Sequence, residues 1–252
     1  MKKSIAFKPF LILQLRPLDA AADDEYKAFL TYGNLAESQV HRVRMERESI
    51  AALDPANYSG VIVGGGPSNV SDDEANKPAF QLRFESELNK LYDKIFEQDI
   101  PYLGSCYGLG SMVRYAGGLV SKERYSEDVG AVEIRLNKQG KSDSLLSGLP
   151  DSFIALVGHK EACQCVPNGG VLLGSSATCP VQIVRFGKNM YATQFHCELD
   201  AEGITKRIQY YKHHGYFDPE QADELISQTK DLKLEAPHLI LKRFVERYRD
   251  NK

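Results

Sequence analysis

The chain has little that would tie it to a membrane, to nucleic acid or to an oxidising compartment. No apolar run approaches the ~20 residues that a membrane-spanning helix needs. Lys and Arg number 31 against 34 Asp and Glu. The formal net charge of −3 lacks the basic surplus of a nucleic-acid binder. Five cysteines are an odd number in 252 residues. They fit reduced thiols in a cytoplasmic protein better than a disulfide framework. Met1 to Pro9 opens like a signal peptide, but Lys8, Gln14 and Arg16 interrupt any apolar region, so no export signal is expected. Internal repeats, low-complexity linkers and charge blocks are missing too. The expectation is one domain over 1–252, with a core over 10–200 and a helical extension over 201–252.

What is there reads as strand and helix in alternation. Phe10 to Leu13 and Gly60 to Val63 are short continuous apolar runs, the form of strands buried on both faces of a parallel sheet. Val40 to Met45 alternates apolar and basic residues and reads as a strand nearer the edge. Asp23 or Asp24 is the expected cap of a helix from Glu25 to about Tyr32, closed by Gly33-Asn34. Phe80, Phe84, Leu88, Leu91 and Ile95 mark one face of a helix over Pro78 to Gln98. Further strands are expected at Val129 to Leu136, Phe153 to Val157, Gly170 to Leu173, Val181 to Phe186 and Met190 to Phe195, the last two as a hairpin. Helices follow, with Ile204, Ile208 and Tyr211 on one face and Leu239, Phe244 and Tyr248 in the last. This order predicts a doubly wound, mostly parallel α/β sheet of three layers, flavodoxin-like, with a helical C-terminal extension.

The chemistry centres on Gly104-Ser105-Cys106-Tyr107-Gly108, placed between a buried strand and a helix-compatible stretch from Tyr107 to Tyr115. A Gly-x-nucleophile-x-Gly turn holds its nucleophile in a strained elbow, and a helix starting there aims N–H groups at the sulfur, which favours thiolate. On the pentapeptide alone, a structural cysteine in a glycine-rich turn is the competing reading. A thiol nucleophile needs a base, and the base an orienter. His196 and Glu198 close the strand Met190 to Phe195, and residues two apart on a strand share a face. Of six histidines, His159 is the rival as base; His41 sits among arginines, His213-His214 on a polar stretch and His238 in the tail. Gly64-Gly65-Gly66-Pro67 after a strand offers bare N–H groups for an oxyanion. It is not a phosphate loop, because no Lys-Ser/Thr follows and Gly-x-Gly-x-x-Gly fails at Asn69.

Gly-Gly-Pro after a strand, the Gly-x-Cys-Tyr-Gly elbow and Gln-Phe-His-x-Glu downstream, in that order, resemble class I (triad-type) glutamine amidotransferases. The likeness is closest to the amidotransferase domain of GMP synthases and its free-standing relatives, over roughly Phe10 to Asp200. Ser175-Ser176-Ala177-Thr178-Cys179-Pro180 resembles the Ser-Ser-x-x-Cys-Pro stretch of that group. The resemblance implies Cys106 as nucleophile, His196 as proton shuttle and Glu198 as its orienter. It also implies oxyanion N–H groups from Gly65 and Tyr107, and a substrate site at Gly66, Gly110, Gly158 and His159. The activity implied is hydrolysis of the glutamine γ-amide through a γ-glutamyl thioester, with no cofactor and a small-molecule substrate. With no ATP-binding or synthetase segment present, a synthetase partner chain would have to accept the ammonia. Three departures stand out. Cys197 replaces the usual Pro between His and Glu, Gly158-His159-Lys160 replaces Ser-His-Gly, and Gly110 replaces a substrate-binding Gln. The last predicts weak hydrolysis of free glutamine and space for a larger group. A stand-alone γ-glutamyl conjugate hydrolase, and a non-enzymatic regulatory or redox-sensing relative, are the alternatives. No metal is expected: Cys163, Cys165 and Cys179 match no common ligand spacing. Arg42, Arg44 and Arg47 read as a solvated face.

Overall fold

The computed structural model describes residues 8–213 and 217–249. The chain runs β1 (Phe10–Gln14), α1 (Asp19–Gly33), β2 (Val40–Arg44), β3 (Gly60–Val63), α2 (Ala79–Gln98), β4 (Tyr102–Ser105) and α3 (Tyr107–Tyr115). It continues with β5 (Val120–Ser121), β6 (Glu127–Leu136), α4 (Lys138–Ser142), β7 (Ser152–His159), β8 (Ala162–Cys163) and β9 (Gly170–Ser175). Then come β10 (Ile183–Phe186), β11 (Met190–Thr193), α5 (Ala201–Tyr211), α6 (Ala222–Thr229) and α7 (Glu235–Tyr248).

Nine strands form one sheet in the order β2-β1-β3-β4-β11-β10-β9-β6-β7. From β2 to β11 every pairing is parallel. From β11 outward through β10, β9, β6 and β7 every pairing is antiparallel. The expected doubly wound core is therefore present, continued by an antiparallel wing. β2 is the edge strand that its alternating basic residues predict. The fully apolar strands β1 and β3 sit inside, where helices cover both faces and a polar side chain on either face would be buried. One apolar layer packs α2 and α3 against the sheet through Phe84, Leu88, Ile95 and Met112. The opposite layer packs α7 through Ile240, Leu241, Phe244 and Val245 against Phe10, Ile12 and Ile62.

Several boundaries differ from expectation. α1 begins at Asp19, not near Glu25, and Leu18 at its N-cap makes no side-chain capping bond. Asp23 and Asp24 lie inside the helix because they find cations on other elements, Arg42 at 2.8 Å and Lys206 at 2.9 Å. Its C-terminus is as expected, with Asn34 left-handed at φ 50°. β11 ends at Thr193, so Gln194 to Glu198 leave the sheet. His196 and Glu198 thus share a loop rather than a strand face. In α7, Leu239 is half-buried, and Ile240 and Leu241 take the core positions. Among the described residues, no helix is long and apolar enough to cross a membrane. Residues 1–7, where the signal-like start falls, lie outside the described residues, as do His214 and 250–252.

Phe244 is fully buried, with its ring 6.3 Å from Phe10 and 5.0 Å from Tyr248. Phe244→Ala should cost about 3–5 kcal/mol in urea unfolding, as for other buried aromatics. A loss below about 1 kcal/mol would make α7 peripheral.

Candidate active site

The site is built at the C-terminal ends of the parallel strands β1, β3, β4 and β11. Cys106 follows β4 with φ 53° and ψ −98°, a conformation that L-residues avoid. Three contacts hold it there. Cys106 N–H donates to Thr193 O at 2.8 Å, and Cys106 O accepts from Leu109 and Gly110 N–H, at 3.0 and 3.1 Å. A Cβ on Gly104 would stand 2.6 Å from the Gly108 carbonyl carbon, and one on Gly108 would stand 2.7 Å from Val63 O. Both glycines are therefore steric requirements of the elbow. Tyr102 Oη donates to Gly108 O at 2.8 Å and buttresses the turn from the core.

Gly65, at the end of β3, lies between nucleophile and base. A Cβ on it would be 3.3 Å from both Cys106 Cβ and His196 Nε2, and only 2.5 Å from His196 Cε1. His196 Nδ1 lies 2.8 Å from Glu198 Oε1. His196 N–H donates to Leu156 O at 3.1 Å, which fixes the loop after β11 against β7. His196 and Glu198 are both buried. Burial works against the charge of Glu198, but His196 and Arg207 outweigh it and hold its carboxyl well below the usual range. His196 moves below its ordinary value. Burial is the main cause, opposed by Glu198 and aided by Arg207 and Arg16.

Although part of Cys106 reaches solvent, burial pushes its thiol up to about 12, against the pull of Arg16. Burial thus works against the thiolate that the helix N-terminus favours. Tyr107 N–H points at that sulfur and favours its charged form. Cys163, Cys179 and Cys197 are buried, and Cys165 is exposed.

His159 does not compete for the sulfur. Its Nδ1 lies 2.9 Å from Glu161 O and its Nε2 2.8 Å from Glu127 Oε2. Glu127 also accepts from Ser176 at 2.7 Å, Gln182 at 2.6 Å and Thr178. The Ser-Ser-x-x-Cys-Pro stretch thus secures the buried Glu127–His159 pair. Glu127, His159 and Cys179 are the one group among the described residues with metal-like spacing, but both imidazole nitrogens and the carboxylate are already committed to hydrogen bonds. Cys163 and Cys165 do not share a strand face, because β8 ends at Cys163.

Two cavities meet at Cys106. One is polar and bordered by Gly66, Asn69, Gly110, His159, Lys160 and Glu161. The other, bordered by Gly158, Val129, Leu199, Ile204, Ile208 and Phe217, is largely apolar. Glu161 is the notable resident of the first. Its oxygens accept from Val70 and Ser71 N–H, both at 2.8 Å. Oε1 would lie 3.6 Å from a Cβ on Gly110, so a carboxylate borders the space that Gly110 leaves. Burial pushes that carboxyl above its ordinary value, against those hydrogen bonds.

Sequence reasoning missed Glu161, Arg207, Arg16 and Glu25. Arg207, on α5, reaches Glu198 Oε1 at 2.9 Å. Arg16 donates to Glu25 at 2.7 Å. The i, i+3 and i, i+4 apolar pattern that locates α5 assigns no task to its buried arginine. Only a charged residue on the apolar side of the helix could have flagged it, since Arg207 lies between Ile204 and Ile208.

The parallel half of the sheet thus carries a cysteine elbow with a His–Glu pair beside it. Residues 26–211 match the family model described as glutamine amidotransferase class-I, and the chain belongs to that family. It is 32% identical over 143 residues to a GMP synthase of Borrelia garinii subsp. bavariensis, covering 57% of this chain and 24% of that protein. To a GMP synthase of Streptococcus pyogenes serotype M2 it is 31% identical over 171 residues, covering 67% and 29%. The chain thus spans under a third of the length of these relatives. A solved glutamine amidotransferase of Thermotoga maritima superposes with a TM-score of 0.76 at 17% identity, covering 97% of this chain and 99% of that one. This last likeness shows the fold.

A glutamine-shaped diazoketone should alkylate Cys106 alone, because productive seating brings the sulfur to the electrophile. A small haloacetamide should label exposed Cys165 first, since burial limits access to the Cys106 sulfur and works against its thiolate. Peptide mapping decides. Equal diazoketone labelling of Cys165 and Cys106 would dismiss the elbow as a substrate-directed nucleophile.

Proposed function

We propose that this chain hydrolyses the side-chain amide of glutamine, with Cys106 as nucleophile, His196 as proton shuttle and Glu198 as its orienter. The observation that carries this reading is the strained Cys106 backbone beside an imidazole whose Nδ1 is fixed 2.8 Å from Glu198. Nδ1–H donating to Glu198 leaves the Nε2 lone pair free, across Gly65 from Cys106. His196 takes the thiol proton as sulfur attacks the amide carbon, and the oxyanion forms against Gly65 and Tyr107 N–H. His196 then gives the proton to nitrogen, ammonia leaves, and a γ-glutamyl thioester remains. Water, deprotonated by His196, attacks the thioester, and glutamate departs with the thiol restored.

In this reading the polar cavity takes the amino-acid end of glutamine, along Gly66 and Gly110. Glu161 accepts from the substrate ammonium, standing in for the amide that Gly110 lacks. Gly158 and His159 shape the cavity wall by backbone and ring edge. The chemistry calls for no cofactor or metal. A synthetase chain receiving the ammonia is the partner that the likeness to GMP synthases supports.

A second reading is favoured by the apolar cavity on the other side of Cys106. It would seat an alkyl group on the departing nitrogen and make the chain a γ-glutamyl amide hydrolase. Steady-state kinetics on glutamine and on a γ-glutamyl n-alkylamide separate the two, and a preference for the alkylamide selects the second.

His196→Ala should lower kcat by at least about 10³-fold for whichever substrate is preferred, with the fold intact. Glu198→Gln should lose less. Glu161→Gln should raise KM for glutamine about tenfold or more, one charge-assisted hydrogen bond being worth roughly 1.5–3 kcal/mol. A fully active His196→Ala variant would end the proposal.

A further inference from the structure

α5 starts three residues after Glu198. Its N-cap, Asp200, accepts from Gly203 N–H at 2.6 Å, and Tyr32 donates to the same carboxylate. The helix is therefore placed rigidly against the site. Two turns along, Arg207 turns inward. Its Nη2 donates to Glu198 Oε1 at 2.9 Å, the same oxygen that meets His196 Nδ1. Its Nη1 lies 3.1 Å from His196 Nδ1 itself. On the far side, Glu25 lies 3.6 Å from Arg207 Nη2 and accepts from Arg16. Four side chains, Arg16, Glu25, Arg207 and Glu198, are each exposed by 8% or less.

We propose that Arg207 is a positioning residue that holds Glu198 in place and keeps the resting His196 ring uncharged, with its proton on Nδ1. The proposal rests on the triad assigned above. The charges that face His196 are Glu198 from its own loop, Arg207 from α5 and Arg16 from the β1–α1 loop, with Glu25 of α1 behind them. Cys106, Cys197 beside Glu198, Tyr211 of α5 on Arg16 and His238 of α7 toward Glu198 are further titratable groups around the cluster. Two cations and two carboxylates balance. An imidazolium would add a fifth charge, uncompensated, in a place where water is scarce. A guanidinium offers only donors. It therefore cannot bond an Nδ1–H 3.1 Å away, in a charged or a neutral ring, and that hydrogen goes to Glu198 Oε1.

The two neutral tautomers differ in consequence. A proton on Nε2 would let Nδ1 accept from Arg207, but it would aim N–H at the sulfur and leave no base. A proton on Nδ1 satisfies Glu198 and leaves Nε2 able to take the thiol proton. Glu198 Oε1 is the nearer partner, and it can receive Nδ1–H only while Arg207 fixes its rotamer. Burial, Arg207 and Arg16 all act in the direction of a neutral ring. The reaction then begins from thiol and imidazole rather than from an ion pair, and the charges appear only as the sulfur attacks.

The test is imidazole nitrogen NMR of the full chain across pH, which needs no turnover. Wild-type His196 should titrate below its ordinary 6.5, and at about pH 7 its ring should carry hydrogen on Nδ1 alone. Arg207→Gln keeps a donor but no charge, and it should raise the midpoint by about one pH unit or more. Arg207→Lys keeps the charge without the fork. Its midpoint should stay near wild type while turnover falls. A wild-type imidazolium at about pH 7 overturns the proposal, as does a folded Arg207→Gln variant with an unmoved midpoint. If Arg207→Gln does not fold, the wild-type titration and Arg207→Lys decide, and a Lys midpoint above about 7 rejects the proposal. A chain that titrates as expected but hydrolyses neither glutamine nor a γ-glutamyl amide keeps this inference and loses the function proposed above.

Discussion

The backbone at Cys106 is the constraint around which the parallel half of the molecule is arranged. A non-glycine residue at φ 53° and ψ −98° costs of the order of 1–3 kcal/mol and persists only where its surroundings leave no alternative. Here the surroundings are three adjacent strands. β11 supplies Thr193 O, β3 supplies the Val63 carbonyl against which Gly108 lies, and β4 supplies Tyr102 beneath the turn. The register of β4 with β11, Ser105 opposite Thr193, puts the elbow level with the loop that carries His196. The parallel pairing thus sets how the backbone at Cys106 stands to the loop of His196 before any side chain is chosen.

Electrostatics organises the other side of the site. Glu198 is fully buried, and a carboxylate there survives only because cations meet it. Those cations come from distant stretches of sequence, Arg207 from α5 and, through Glu25, Arg16 from the β1–α1 loop. α1 and α5 are therefore joined across the cleft by charge as well as by packing. Gln14 extends the same network by donating to Glu25 at 2.8 Å. Removing either end would leave a charge stranded, so these residues act as a unit.

Much of this was legible in the sequence, and the reason is chemical. Continuous apolar runs mark β1 and β3 because both faces are covered. The glycines at 104 and 108 mark the elbow because no other residue fits against the Gly108 and Val63 carbonyls. Helix α2 is visible because Phe84, Leu88, Leu91 and Ile95 repeat at helical spacing. What stayed hidden was buried charge. Glu25 looks like a member of a polar helix face, and Arg207 like a stray charge on the apolar side of α5, because pattern reading assigns charges to solvent. Asp23 and Asp24 look like caps because their real partners, Arg42 and Lys206, are remote in sequence. His196 and Glu198 were paired correctly but for the wrong geometric reason. The strand ends at Thr193, and a loop tied to Leu156 O brings them together.

Gly110 illustrates how a departure at one position is read only with its neighbour in space. Taken alone, loss of a side chain there implies an open and weakened glutamine site. In the fold, Glu161 stands 3.6 Å from where that side chain would begin, held by two backbone N–H groups from the loop after Gly66-Pro67. A longer side chain at 110 would meet Glu161 and Val70, so glycine and glutamate fit as a pair. A carboxylate can serve an ammonium better than an amide can, since the contact is charge-assisted. It also demands that the substrate keep its amino group free and charged. Under the proposed reading, Gly110 with Glu161 would therefore tighten specificity at the amino-acid end and leave latitude in substrate to the far side of Cys106, where Leu199, Ile204, Ile208 and Phe217 line the apolar cavity.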